Sequence, residues 1–294
     1  MSICGGSGII RGGFQSDVRP FATAFLVNAS ASRMTAAMSG SLHLNVSGGV
    51  ARLLIDRPAR RNAFDQTMWE AFPALVERAM ADAAVRLLIV QAAAPGPFCA
   101  GADIAEFGVY SREPAWRAAN QAAMRATQVT LTQAPKPTIA LVEGDCIGGG
   151  CAIALACDMR VATATARFGI TPAKLGLVYP LHDTRLLVEL VGPAHAKRLL
   201  FTAGLIDAAE ALRIGLVQLL VDDAATAIET LAQSVVAGSA HTQRASKAIV
   251  RHILDGANDD DAALAAEFDA AFDGPDFAEG VAAFLAKRPA RFGA

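Results

Sequence analysis

Two runs of small residues carry the chemistry this chain offers. The first is Ala94 to Ile104, A-P-G-P-F-C-A-G-A-D-I, and the second is Asp145 to Ala154, D-C-I-G-G-G-C-A-I-A. Each sits where a turn would open a helix, and the first N–H groups of a helix have no partner within it. Two such donors aimed at one point hold an oxygen that gains negative charge, which is how a thioester enolate is stabilised. Glycine and alanine suit both places, because a larger side chain would fill the space the carbonyl must occupy. The chemistry implied is acyl activation by backbone N–H groups, with no metal and no redox cofactor.

Those donors need a scaffold, and the hydrophobic pattern predicts one from Leu42 onward. Leu42 to Val46 and Val50 to Ile55 read as a hairpin around Ser47-Gly48-Gly49. Asp65 is placed to cap a helix reaching about Met80, with Met68, Phe72, Leu75 and Val76 on its inner face. Buried strands are expected at Leu87 to Gln91, Thr138 to Val142 and Met159 to Ala164. Trp116 to Thr132 reads as a helix broken by Pro135-Lys136-Pro137, and Gly149 to Ala156 as a helix of small residues. Phe168 to Leu177 reads as irregular. Helices dominate from His182, interrupted by a strand-like run from Gly215 to Val221 and by breaks at Gly256 and Gly274-Pro275. There is no phosphate loop and no dinucleotide fingerprint, which argues against a nucleotide cofactor.

The chain has 294 residues, 53% apolar and 18% charged, with a formal net charge of −2. That composition predicts a well-packed globule and gives no electrostatic footprint for nucleic acid. No uninterrupted apolar stretch reaches the roughly 18 residues that cross a bilayer. Cys4, Cys99, Cys146, Cys151 and Cys157 form no C-x-x-C pair and lack histidines at ligand spacing, so they read as buried thiols of a cytoplasmic protein rather than a metal site. A catalytic thiol at Cys99 or Cys151 is the alternative. Residues 1–40, rich in Gly, Ser and Ala, read as a disordered extension or an over-extended start, with Met34 or Met38 the natural beginning.

Five stretches in order carry a resemblance. They are I-D-R-P-A-R-R-N-A-F from Ile55, F-C-A-G-A-D-I from Phe98, G-D-C-I-G-G-G-C-A-I-A-L-A-C-D-M-R-V-A from Gly144, F-G-I-T-P-A-K-L-G-L from Phe168 and F-A-E-G-V-A-A-F-L-A-K-R-P-A-R-F from Phe277. Together they resemble the crotonase superfamily, the enoyl-CoA hydratase/isomerase family. The resemblance implies an α/β crotonase spiral of ββα units over residues 41–230. A helical C-terminal region, 231–294, would mediate assembly into homotrimers or hexamers. It further implies an acyl-CoA substrate, with coenzyme A the only carrier needed, and no membrane partner. By motif position the donors would be the N–H groups of Ala102 and Gly149. Arg57, Arg61 and Lys287 would meet CoA phosphates, and Phe277 and Phe284 would form an aromatic wall. The Ala100 carbonyl would face the adenine, with Ala63, Asp103 and Ile104 lining the same groove.

The sequence departs from that family where acids are expected. The hydratases of the family carry glutamates at positions that here hold Ala152 and Pro172, and neither residue transfers a proton. Tyr179 and His182 are the nearest substitutes, and the stretch before Tyr179 resembles the loop of methylmalonyl-CoA decarboxylase. Asp183 is expected to cap a helix, and Asp103 likewise. Asp145 suits either a turn or the acyl chain, Glu106 either the acyl pocket or a helix surface, and Lys174 a solvated loop. Asp158 is expected to tie a strand. Three readings stay open: a hydratase or isomerase with displaced acids, a malonyl-type decarboxylase using Tyr179, and a non-catalytic acyl-CoA-binding relative.

Overall fold

The computed structural model describes residues 41–258 and 262–293. The expected N-terminal extension, with Cys4 and both alternative starts, lies outside the described residues. The chain opens with β1 (Leu42–Ser47), β2 (Val50–Ile55), α1 (Gln66–Ala81) and β3 (Leu87–Ala92). It continues through α2 (Ile104–Tyr110), α3 (Pro114–Thr132), β4 (Thr138–Val142), β5 (Asp145–Ile147) and α4 (Gly149–Ala156). Then come β6 (Met159–Thr163), β7 (Arg167–Gly169), α5 (Leu181–Thr202), β8 (Leu205–Asp207), α6 (Ala208–Arg213) and β9 (Leu219–Val221). The helices α7 (Ala224–Ala237), α8 (Ala240–Leu254), α9 (Ala262–Phe272) and α10 (Pro275–Leu285) close it.

One sheet has the order β1-β2-β3-β4-β6-β9, and a second has β5-β7-β8. The β1–β2 hairpin is antiparallel, and the ladders from β2 to β9 in the large sheet are parallel. Alternation along those strands divides the interior in two. Leu88, Val90, Ala140, Val142 and Ala162 face a core shared with α1, α4 and α5. Leu87, Ile89, Ile139, Leu141 and Val161 face the other way and are covered by Ala224, Ile228 and Ala232 of α7. The sheet is thus buried on both faces, which is why its strands read as continuous apolar runs. Among the described residues, no helix is long and apolar enough to cross a membrane.

Local chemistry explains the ends of the elements that matter most. Asp65 caps α1 as expected, its carboxylate accepting from Met68 N at 3.0 Å. Asp158 ties a strand as expected, accepting from Thr138 N at 2.8 Å and from Lys247 Nζ at 2.7 Å. The run expected to be irregular contains β7 and a 3₁₀ turn at Pro172–Lys174. The strand expected from Gly215 starts only at Leu219, because Gly215 N and Val217 N bond back to Leu212 and Ala211 of α6. Asp183 does not cap α5. Pro180 holds the cap position, so the helix starts at Leu181 and places Asp183 inside its first turn.

Candidate active site

The first motif folds into a clamp for the loop that follows β3. Asn62 Nδ2 donates to Pro97 O at 2.7 Å, and Ala100 N donates to Arg61 O at 3.0 Å. Phe64 then straddles Ala102: its N–H donates to Gly101 O and its carbonyl accepts from Asp103 N, both at 2.8 Å. A residue flanked in this way turns its own N–H to the opposite side. On that side β5 runs alongside, with Cys99 N bonded to Asp145 O and Ile147 N to Cys99 O. Gly148 N reaches Gly169 O of β7 at 2.8 Å and delivers the chain into α4.

The two glycine runs therefore meet. A Cβ built on Gly149 would lie 3.6 Å from the Ala102 nitrogen, and one on Gly101 would lie 3.3 Å from the Gly149 nitrogen. No acceptor among the described residues takes either N–H. Gly101 has φ +99°, a conformation side chains rarely adopt. Gly150 packs so closely on Cys99 O that a Cβ could not be accommodated. Behind the pair, Trp69 presents its ring edge, 3.1 Å from where a Gly149 Cβ would stand. At the far end of α4, the buried Arg160 donates to the carbonyls of Ala154 and Cys157, satisfying the helix terminus with a cation. The short helix α4 thus offers free N–H groups at one end, while Arg160 meets its carbonyls at the other.

Arg57 holds the first donor loop. Its Nη1 donates to Ala63 O and to Asp103 Oδ2, each at 2.8 Å. Asp103 also caps α2 through Ala105 N, as expected. Burial works against the Asp103 carboxylate, but the bonds from Arg57 and Ala105 prevail and hold it below its ordinary range. Replacing Arg57 with alanine is expected to cost about 2 kcal/mol, because Asp103 is left buried without its cation, with only the Ala105 N–H to accept from. The residue before it, Ala102, then loses its fixed place and turnover falls. Lysine should rescue only in part, since a single ammonium on a shorter reach loses the Nη2 contact with Asp65 that steadies the guanidinium. Urea melts and steady-state rates of Arg57→Ala and Arg57→Lys check both statements.

Arg61 pairs with Asp145, which also takes a two-point contact from Arg167 at 2.7 and 3.0 Å. Asp145 is thus committed to two arginines rather than to an acyl chain. Glu106 is half-buried and accepts from Gln66 N at 2.9 Å, at the start of α1. Ala63 and Ala100 sit in the clamp, and Ile104 is exposed at the start of α2. Phe277 of α10 meets Phe272 of α9 edge-on, and Lys287 lies exposed just beyond α10. The structure links neither of them to the donor loops by a hydrogen bond or ring contact among the described residues. The four described cysteines are free and buried, and burial pushes the Cys99 thiol up to about 12, so it is no nucleophile.

Tyr179 is buried, and its hydroxyl donates weakly to Gly148 O at 3.4 Å, beside the second donor. Burial, with the charges of Cys151 and Asp183, pushes its phenol well above the ordinary range. His182 is half-buried with Nε2 unpartnered, and burial followed by Arg125 and Arg185 pushes its imidazole down. Position 152 is a fully buried alanine, and position 172 is the proline that opens the 3₁₀ turn. Three groups escaped the sequence reading: the Trp69 ring edge, the exposed Arg125 of α3, and the isolation of Asp183. A tryptophan beside the inner face of α1 was a visible signal; the other two depend on how α3, α4 and α5 pack.

Residues 45–294 match the family described as Enoyl-CoA hydratase/isomerase. A crotonyl-CoA hydratase of Syntrophomonas wolfei is 36% identical over 249 residues, covering 83% of this chain and 94% of that protein. A short-chain-enoyl-CoA hydratase of Clostridium acetobutylicum is 33% identical over 261 residues, with the same coverage of 83% and 94%. A solved structure of an enoyl-CoA hydratase/isomerase family protein from Hyphomonas neptunium superposes with a TM-score of 0.83 at 40% identity. It covers 87% of this chain and 98% of that one.

Proposed function

The chain belongs to the enoyl-CoA hydratase/isomerase family, and we propose that it acts on acyl-CoA thioesters by stabilising an enolate between the N–H groups of Ala102 and Gly149. The observation that carries this reading is the pairing of two unclaimed N–H groups across a gap that only glycine leaves open. The thioester oxygen would take both hydrogen bonds and gain strength from them as charge develops on it. The dipole of α4 adds to the Gly149 bond.

Coenzyme A would enter as part of the substrate, over Ala63, Ala100, Asp103 and Ile104. Arg61 and Arg167 share one aspartate, so the cluster keeps a net positive charge suited to a phosphate. Arg57 is committed to the donor loop and would support the coenzyme through it. Phe277 and Lys287 would serve a site completed by assembly. Exposed Phe268, Phe284 and Leu285 on the last helices favour a homotrimer or a hexamer. Four buried free thiols fit a reducing cytoplasm.

The reaction favoured is proton transfer on an enoyl-CoA, as hydratase or isomerase, with Tyr179 and His182 lining the reacting end. Malonyl-type decarboxylation is a second reading, supported by Tyr179 beside the donors and by Arg125 as a cation for a second carboxylate. Asp183 weighs against it, since it would repel that carboxylate. A mixed panel of enoyl-CoA and malonyl-type thioesters, with products read by mass spectrometry, separates them. Water gain or double-bond migration supports the first reading and CO₂ loss the second. Binding without turnover would dismiss both in favour of a non-catalytic relative.

A further inference from the structure

One carboxyl group in the interior has no structural work. Asp183 is 1% exposed, and its Oδ1 is buried without a hydrogen-bond partner. It lies in the first turn of α5, yet that helix has no side-chain cap. Buried carboxylates that stabilise a fold are paired or capped; a charged one without a partner costs several kcal/mol. Four residues earlier, just ahead of the Pro180 cap, Tyr179 rests on Gly148 beside the Gly149 donor. The charge of Asp183 acts on that phenol. An orphaned buried acid beside the tyrosine that touches the second donor loop is a candidate for chemistry.

We infer that Asp183 is a catalytic residue, the carboxylate that moves a proton between two carbons of a 3-enoyl-CoA and so gives the 2-enoyl-CoA isomer. The inference rests on the acyl-CoA reading above. The carboxylate takes a proton from C2, and the C–H electron pair becomes the C1–C2 double bond of a dienolate. Its oxygen is held by the Ala102 and Gly149 N–H groups. The carboxylic acid then returns the proton to C4, using the C3–C4 pair, while the double bond settles between C2 and C3 and the carbonyl re-forms. No atom is gained or lost. One carboxyl suffices for this exchange, whereas adding water calls for a second group to activate it.

Neighbouring groups leave Asp183 the best base. The charge of Arg125 of α3 acts on Asp183, and the charges of Asp183 and of Cys151 of α4 act on Tyr179 before the helix; His182, next in the chain, feels Arg125, Arg185 and Glu189. Burial pushes the Asp183 carboxyl up to about 7, against the pull of Arg125. The phenol is pushed away from neutrality, and the imidazole becomes a weaker base. A group titrating near the working pH transfers protons best.

The test uses the full chain and a 3-enoyl-CoA, with product followed by NMR and binding by calorimetry. Wild type is expected to isomerise, with kcat/KM rising through about pH 7 and then levelling. Asp183→Asn, nearly isosteric, is expected to lose on the order of 10²–10⁴ in kcat and the pH limb with it, while still binding thioester. Asp183→Glu should recover part of the rate and the limb, and stands in should the asparagine variant fail to fold. An asparagine variant that keeps rate and limb overturns Asp183 alone. A wild type that hydrates but never isomerises, or shows no limb near pH 7, overturns the isomerase assignment. A wild type that binds no CoA thioester overturns the reading beneath it.

Discussion

Gly101→Ala is expected to lower kcat/KM toward a CoA thioester by about 10²–10³-fold, the usual consequence of misplacing one oxyanion donor. Its new Cβ would stand 2.9 Å from Ile147 O and 3.3 Å from Gly149 N. Both atoms belong to the segment that leads into α4, so relief of the clash pushes the two donor segments apart. The residue also sits at φ +99°, and strain there adds about 1–3 kcal/mol of destabilisation. The two effects are separable. Gly48, in the β1–β2 hairpin, has φ +57° with nothing within 4 Å of an added methyl. Gly48→Ala should therefore lose stability without losing turnover. Steady-state kinetics and urea melts on the two variants decide the matter: equal activity in both would dismiss the paired N–H groups as the working donors.

Much of this was legible from residue types alone. Small residues in two runs announced close backbone approach, and Gly101, Gly149 and Gly150 are where that approach occurs. Buried strands announced themselves as apolar runs because α7 covers the face that α1 and α4 do not. What escaped the sequence is what packing alone decides. The strands β5 and β8 have three residues each, too few to show a period, yet β5 is what seats Gly148 beside the first loop. Asp145 reads equally well as a turn residue until β5 and β7 bring Arg167 against it. Asp183 has the look of a cap, and only the start of α5 at Leu181 turns it inward. A carboxylate's value to catalysis lies in the partners it lacks, and a missing partner leaves no trace in a sequence.

That isolation should also be measurable as a cost in stability. Unfolded, the Asp183 carboxyl titrates near its ordinary value of 3.8; folded, burial raises it to about 7. Between those values the unfolded chain gives up this proton while the folded chain keeps it. The folded state therefore binds more protons, and its stability falls as pH rises across the interval, then levels above it. At about 1.4 kcal/mol for each pH unit, the loss from this one group has an upper bound of about 4 kcal/mol. Arg125 and water penetration reduce it. Asp183→Asn removes the titration, so at pH 8 the variant is expected to be the more stable protein, by about 1–4 kcal/mol. Near pH 4 the two should converge. Paired acids such as Glu210, held at about 2 by Arg213 and Arg198, act with the opposite sign, but they are common to both proteins and cancel in the difference. Urea melts of the pair across this pH range test the argument independently of any substrate. Parallel stability curves would mean that the carboxyl is partnered in solution, and its claim to the proton-transfer step would fall with its isolation. Divergence above pH 5, with the variant stabler and slower, would mean that the fold carries an unpaired acid because the reaction uses it.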